Sequence, residues 1–248
     1  MKKIISILIA LALMLGSAAL AEDYAIATGD DFRPFEFVDE EGNLAGIDIE
    51  ILAAIAEDQG FTYTLEPFTW EEAINTCKSG QKDGMIASAS ITEERRNDGW
   101  IFSKGYFSAT QSMAVPADAN IAGFDDLIGK KVAVKSGTMS ADYAASLADW
   151  FGFSLVTYDK TPEIFEAVIN GEADACFEDT PIIGDFIKTN NAPLKFVSGS
   201  VNQGAYYGFV VFSPEKQELI DKFNAGLENI KANGIYDQII KKYIPDEE

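Results

Sequence analysis

Hydrophobic positions in this chain fall into short blocks, and the spacing within them switches between two periods. Strand-like apolar blocks occupy residues 24–28, 61–66, 83–87, 131–135, 155–158, 173–177 and 206–212. Between them, apolar positions recur at helical spacing, as Ile47, Ile51 and Ile55 do across residues 47–58. That stripe is a packing surface rather than a site. Start and stop signals bound the helices. Thr69 with Glu72 makes a capping box for residues 70–78, and Gly80 follows the end. Thr161-Pro162, Thr180-Pro181 and Ser213-Pro214 each read as a hydroxyl cap before a first-turn proline.

Regular alternation of strand and helix predicts an α/β fold with mainly parallel sheets covered by helices. No repeat or low-complexity linker separates domains. Two lobes would therefore be joined by short extended crossings, near residues 109–113 and 203–208, where strand-like residues run between the two α/β patterns.

The N-terminus follows a different logic. Lys2 and Lys3 precede an apolar run over residues 4–15, and small residues lead to Ala19-Leu20-Ala21. This is the pattern of a secretory signal peptide over residues 1–21. The apolar run is short for a bilayer span, which needs about 20 residues. No cysteine lies near the junction, so nothing supports a lipid anchor, and a soluble periplasmic or extracellular protein is expected. The chain ends without a second membrane segment.

Charge narrows the function. Without Lys2 and Lys3 the remainder holds 17 basic residues against 40 acidic ones, a net charge of −23. Such a surface repels nucleic acid and anionic lipid. The absence of histidine removes Ser-His-Asp and Cys-His nucleophile systems and the commonest metal ligand. No cofactor or metal is expected. Cys77 and Cys176 fall in different lobes of the inferred topology and are expected to be free, buried thiols.

Candidate chemistry clusters at strand ends, where open α/β sheets bind ligands. In TGDDFRPFEF, residues 28–37, Phe35 and Phe37 read as core and Phe32 as a stacking surface. In ASASITEER, residues 87–95, small residues free backbone N–H groups and the Ser88 and Ser90 hydroxyls for a carboxylate, and Arg95 offers a bidentate fork. The same segment also reads as a Thr92-capped surface turn with Arg95 paired to Glu93 or Glu94. KVAVKSGTMS, residues 131–140, leads a strand into a helix N-terminus, an anion-favouring end. Glu178-Asp179 offers carboxylates to an ammonium group, and equally reads as a helix-start signal. Carboxylate donors in one half and an ammonium acceptor in the other suit a zwitterionic amino acid.

Gly46-Ile47-Asp48-Ile49-Glu50-Ile51 with Ile55-Ala56, together with PFEF, SITEER, AVKSGT, EDTP and the terminal NGIYDQIIKKY, resembles the family 3 solute-binding proteins of ABC importers, most of all glutamine-binding members. Gln59 and Gly29 depart from the family pattern, the latter where an acid is common. The resemblance implies a two-lobe periplasmic-binding-protein fold of the type II kind, with two hinge strands and the ligand in the interlobe cleft. Residues 22–110 and 206–248 would form one lobe and residues 111–205 the other.

Carried over by position, Phe32 and Trp70 would sandwich the ligand side chain. Ser88 and Ser90 would offer the α-carboxylate a backbone N–H and a hydroxyl, with Arg95 clamping it. Thr138 and Met139 would reach the same carboxylate, and Asp179 would hold the α-ammonium. Lys135 and Glu178 would face the variable side chain. A Lys135–Glu178 pair would present one donor and one acceptor, ranking glutamine first, basic amino acids second and acidic ones third. The implied partners are a small-molecule amino acid and a membrane permease, with the chain a monomer and not an enzyme. Other readings on the same fold are a dehydratase with Glu178 as general acid, and a ligand-sensing module.

Overall fold

The computed structural model describes residues 23–245; the inferred signal peptide lies outside them. Two α/β layers form around two separate sheets. In the first, the strand order is Thr62–Pro67, Asp23–Thr28, Gly84–Met85, Val210–Val211, Ile101–Phe102. The first three run parallel, and Val210–Val211 lies antiparallel to both its neighbours. In the second, the order is Ser154–Tyr158, Lys131–Lys135, Ala175–Asp179, Phe107–Pro116, Leu194–Phe196. The parallel pairs are again those linked by helical crossovers.

The 47–58 stripe forms the buried face of helix Ile47–Gln59, where Ile47, Ile51, Leu52 and Ile55 are fully enclosed. Its partner is helix Gln217–Ala232, which buries Leu219, Ile220, Phe223, Leu227 and Ile230. Each such side chain contributes about 1.5–3 kcal/mol by leaving water. The axes close tightly at Gly226, where an added Cβ would come within 2.8 Å of Ile55. Phe35 and Phe37 are also core, Phe35 edge-on to Phe107 and Tyr207.

Helix Trp70–Lys78 has the expected bounds, and both halves of its capping box form. Two of the proline-linked caps differ. Helix Thr161–Ile169 starts after Lys160, and Thr161 is its first residue. The Thr161 hydroxyl instead accepts from Lys135 at 3.2 Å. Asp179, not Thr180, precedes helix Thr180–Asn190, and the Thr180 hydroxyl bonds Ser112 and Thr110. Ser213 does cap the short turn Pro214–Lys216. A small hairpin sheet of Asp31–Phe32, Glu36–Val38 and Leu44–Ala45 was not anticipated.

Between the layers run two adjacent antiparallel strands, Phe107–Pro116 and Asn202–Tyr207. Their register shifts between Asn202 and Ala205. Gly204 sits there at φ +63°, and a Cβ would lie 1.8 Å from the Ala109 carbonyl oxygen, so only glycine fits the bulge. Cys77 and Cys176 are free and buried. Among the described residues, no helix is long and apolar enough to cross a membrane.

Candidate functional site

Strand ends of both sheets converge on one small cavity. It is lined by Phe32, Trp70, Ser88, Ser90, Arg95, Lys135, Thr138, Met139, Glu178 and Asp179, all candidates from the sequence. Glu36, Ala87 and Ser140 complete the lining and were not among them.

Arg95 belongs to the short helix Glu93–Asn97, which Thr92 caps by accepting from its backbone N–H at 3.1 Å. The local turn reading is therefore right about the cap, while the guanidinium turns inward. It donates to the Ser90 carbonyl at 2.9 Å and to the Gly137 carbonyl at 3.4 Å. Its centre lies 5.1 Å from the Trp70 ring and 5.0 Å from the Trp100 ring. Burial lowers its pKa to about 10, with Asp142 and Asp179 opposing the shift. It stays cationic at neutral pH, which an anion clamp requires.

Thr138 caps helix Met139–Phe151 by accepting from Ala141 N–H at 3.2 Å, and its hydroxyl donates to the Lys135 carbonyl at 2.8 Å. The helix N-terminus thus faces the cavity beside Arg95, a favourable place for a carboxylate. Ser88 departs from its expected role. Its N–H donates to Asp48 at 2.8 Å and its hydroxyl to Glu36 at 2.9 Å, so both donors are committed inside the protein. Ser88 holds φ +49° to make that turn.

Asp179 receives hydrogen bonds from the Tyr207 hydroxyl and, at 3.2 Å, from Ser140. Burial raises its pKa, while Tyr207, Gln111 and Ser140 act against the shift. Glu178 beside it is only 1% exposed. Burial and the neighbouring Asp179 push its pKa up to about 8, so its carboxyl is largely protonated at pH 7. Its Oε1 accepts from Asp179 N–H at 2.9 Å, whereas Oε2 meets no donor among the described residues.

The expected Lys135–Glu178 pair does not form. Lys135 instead binds Asp31 at 2.8 Å and Thr161 at 3.2 Å, 5.4 Å from the centre of the Phe32 ring. Two second-layer donors hold the acid of the opposite hairpin, since the Thr161 N–H also donates to the Asp31 carboxylate at 3.2 Å. Further ties cross the cleft: Trp70 donates its indole N–H to the Gly137 carbonyl at 2.9 Å, and Arg33 pairs with Asp185 at 2.9 Å. The two layers are closed on each other.

The family model of the bacterial extracellular solute-binding proteins, family 3, matches residues 24–246. The chain belongs to this family. An arginine-binding periplasmic protein of Mannheimia haemolytica is 28% identical over 94% of this chain and 97% of its own. Among solved structures, an ancestral arginine-binding protein bound to glutamine superposes with a TM-score of 0.84 at 34% identity, over 92% of this chain and 100% of that one. The second substrate-binding domain of Lactococcus lactis GlnP, in its open conformation, gives a TM-score of 0.66 at 31% identity, over 92% and 98% of the two chains. The two-lobe α/β fold is thus that of the family, and the closer superposition is on the ligand-bound relative.

Proposed function

We propose that this chain is the exported substrate-binding component of an ABC importer, that it holds an L-α-amino acid between its two layers, and that it passes the ligand to a membrane permease. Residues 22–110 with 206–248 and residues 111–205 would act as the two lobes, turning about the paired strands Phe107–Pro116 and Asn202–Tyr207. The observation that carries the reading is the placement of Arg95 and Asp179 on one closed cavity. A permanent cation and a carboxylate on facing walls match the two charges of an α-amino acid. Ser90 and the first turn of helix Met139–Phe151 would complete the carboxylate cradle.

A cationic side chain ranks ahead of glutamine, reversing the order read from sequence. With Lys135 committed to Asp31, the carboxyls of Glu178 and Glu36 face the cavity without a basic partner. The arginine-binding relative of Mannheimia haemolytica supports the same choice, and the ancestral arginine-binding protein, solved with glutamine, keeps glutamine second. A thermal-shift screen of the mature protein against the common L-amino acids tests the reading. A ligand at a hundredfold its Kd stabilises by about 2.7 kcal/mol. The reading fails if no amino acid raises the melting temperature.

A second reading has one observation in its favour: Glu178 lines the cavity with its buried Oε2 meeting no donor among the described residues, and burial pushes its pKa up to about 8. Such a group suits a general acid in a dehydratase. Turnover of arogenate or prephenate by purified protein would select it, and its absence would remove it.

A further inference from the structure

We infer that Glu36 sets the preference of this cleft among amino acids, by receiving the cationic end of the ligand side chain on a carboxyl backed by Asp48; this rests on the amino-acid reading above. Glu36 lies on strand Glu36–Val38, between the core residues Phe35 and Phe37. It is 2% exposed and lines the cavity. Room for it exists because residue 29 is glycine: a Cβ there would stand 3.0 Å from Glu36 Cγ and 3.3 Å from its Oε1.

Behind Glu36 is a second acid. Asp48 is fully buried, and its Oδ2 accepts from Ser88 N–H and the Tyr106 hydroxyl, each at 2.8 Å. Its Oδ1 has no donor among the described residues. Ser88 links the two acids, its hydroxyl donating to Glu36 at 2.9 Å and lying 3.4 Å from Asp48 Oδ2, and two enclosed carboxyls on one hydroxyl favour keeping a proton on the pair. Enclosure and Asp48 together raise the Glu36 pKa well above the usual carboxylate range. Glu178 also lines the cavity, and its buried Oε2 meets no donor among the described residues. Two separate carboxyl sites therefore face one space, and each lacks a cation.

The surrounding charges leave that vacancy to the ligand. The groups acting on Glu36 are Asp31 from the hairpin, Asp48 from helix Ile47–Gln59 and Lys135 from the second sheet, with Tyr106 beneath Asp48. Lys135 is the one cation in that set, and Asp31 and Thr161 hold it. Arg95 is held by Ser90 and Gly137. A guanidinium or ammonium group at Glu36 would let both carboxyls of the pair ionise, and the shared proton would pass to solvent. Cationic ligands then bind with proton release and gain affinity as pH rises toward the raised pKa of the free pair. A neutral amide leaves the proton in place.

The test is titration calorimetry of wild type and Glu36→Gln with L-arginine and L-glutamine, in buffers of different ionisation enthalpy. Wild type is expected to prefer arginine and to release protons with it but not with glutamine. Glu36→Gln should abolish that release and lower arginine affinity roughly 30-fold or more, collapsing the arginine-to-glutamine ratio. Equal losses for both ligands would mean a structural role and overturn the inference. So would unchanged arginine affinity, or a wild type that releases no proton. A wild type preferring glutamine would overturn it while leaving amino-acid capture intact; binding no amino acid would end both. Should Glu36→Gln not fold, Gly29→Ala, which presses on Glu36 Cγ, decides instead: it should shrink both the arginine preference and the proton release, and leaving both unchanged would overturn the inference.

Discussion

Asp31 and Lys135 meet at 2.8 Å across the cleft, one from the hairpin of the first layer and the other from the end of a second-layer strand. The same carboxylate accepts from Thr161 N–H at 3.2 Å, so one side chain ties two elements of the opposite layer. This contact exists only when the layers are closed. Asp31→Asn should therefore weaken every ligand, and L-arginine most, because it also frees Lys135 to face the carboxyls of Glu36 and Glu178. The expected loss is about 2 kcal/mol, the low end for a buried pair, because the Asp31 side chain remains 15% exposed. Calorimetry gives the affinity, and small-angle scattering should show a more open ligand-free variant. An unaltered affinity would mean that the pair does not hold the closed state.

Arg95 and Asp179 should be needed by all ligands. Arg95→Ala would leave the ligand carboxylate without its cation and cost about 2–5 kcal/mol of binding free energy. Asp179→Asn would fall in the same range through the ammonium. Arg95→Lys should recover only part of the loss, since an ammonium cannot reproduce the planar fork that bonds Ser90 and Gly137. Near-native affinity in Arg95→Ala or Asp179→Asn would refute the assigned geometry.

Trp70 joins wall and latch. Its ring lines the cavity beside Arg95, and its N–H donates to the Gly137 carbonyl at 2.9 Å. Trp70→Phe keeps an aromatic face but removes that donor, for an expected cost of about 0.5–1.5 kcal/mol. In wild type, indole fluorescence should change as ligand enters. Unchanged emission while calorimetry registers binding would make Trp70 purely structural.

Stability should depend on pH in a direction set by the buried acids. The Glu178 pKa stands at about 8 and that of Asp48 at about 6 in the folded protein, both raised chiefly by burial. A group that holds its proton more tightly when folded stabilises fully below its unfolded pKa and loses that contribution as pH rises through the folded value. The ligand-free melting temperature should therefore fall between about pH 4.5 and 8. Glu178→Gln should flatten the upper part of that slope. A wild-type curve that rises over this range would contradict the protonated state of these acids.

Much of the site was legible because strand ends announce themselves. SITEER and AVKSGT each carry a cap that fixes where the chain turns, which brought Arg95 and Thr138 near a sheet edge, but the local pattern equally allowed a surface turn at Arg95, and the family resemblance chose the inward reading. The capping box placed the start of the Trp70 helix, and the resemblance placed its ring at the ligand. Glu36 escaped because it alternates between Phe35 and Phe37, and a buried acid between core aromatics looks like a solvent-facing strand position until the fold encloses it. Gly29 was the available signal, since a missing side chain leaves room for another. The Lys135–Glu178 pairing failed for a related reason: both residues lie in the second layer, and only closure brings Asp31 within reach of the lysine. Thr161 and Thr180 were read as caps from local pattern, but tertiary partners took their hydroxyls. The hairpin of residues 31–45 was missed because its strands are two or three residues long, too short for a period to show.

The central claim is that the cleft recognises both charges of an α-amino acid and a third, positive charge at the side chain's end. Competition calorimetry with L-arginine, agmatine, argininic acid and L-glutamine tests all three on wild-type protein. Agmatine lacks the carboxylate that Arg95 would clamp, argininic acid lacks the ammonium that Asp179 would hold, and glutamine lacks the cationic terminus. L-arginine should bind most tightly, with each of the others weaker by roughly tenfold or more, at about 1.4 kcal/mol per factor of ten. Agmatine or argininic acid binding as tightly as arginine would contradict the account.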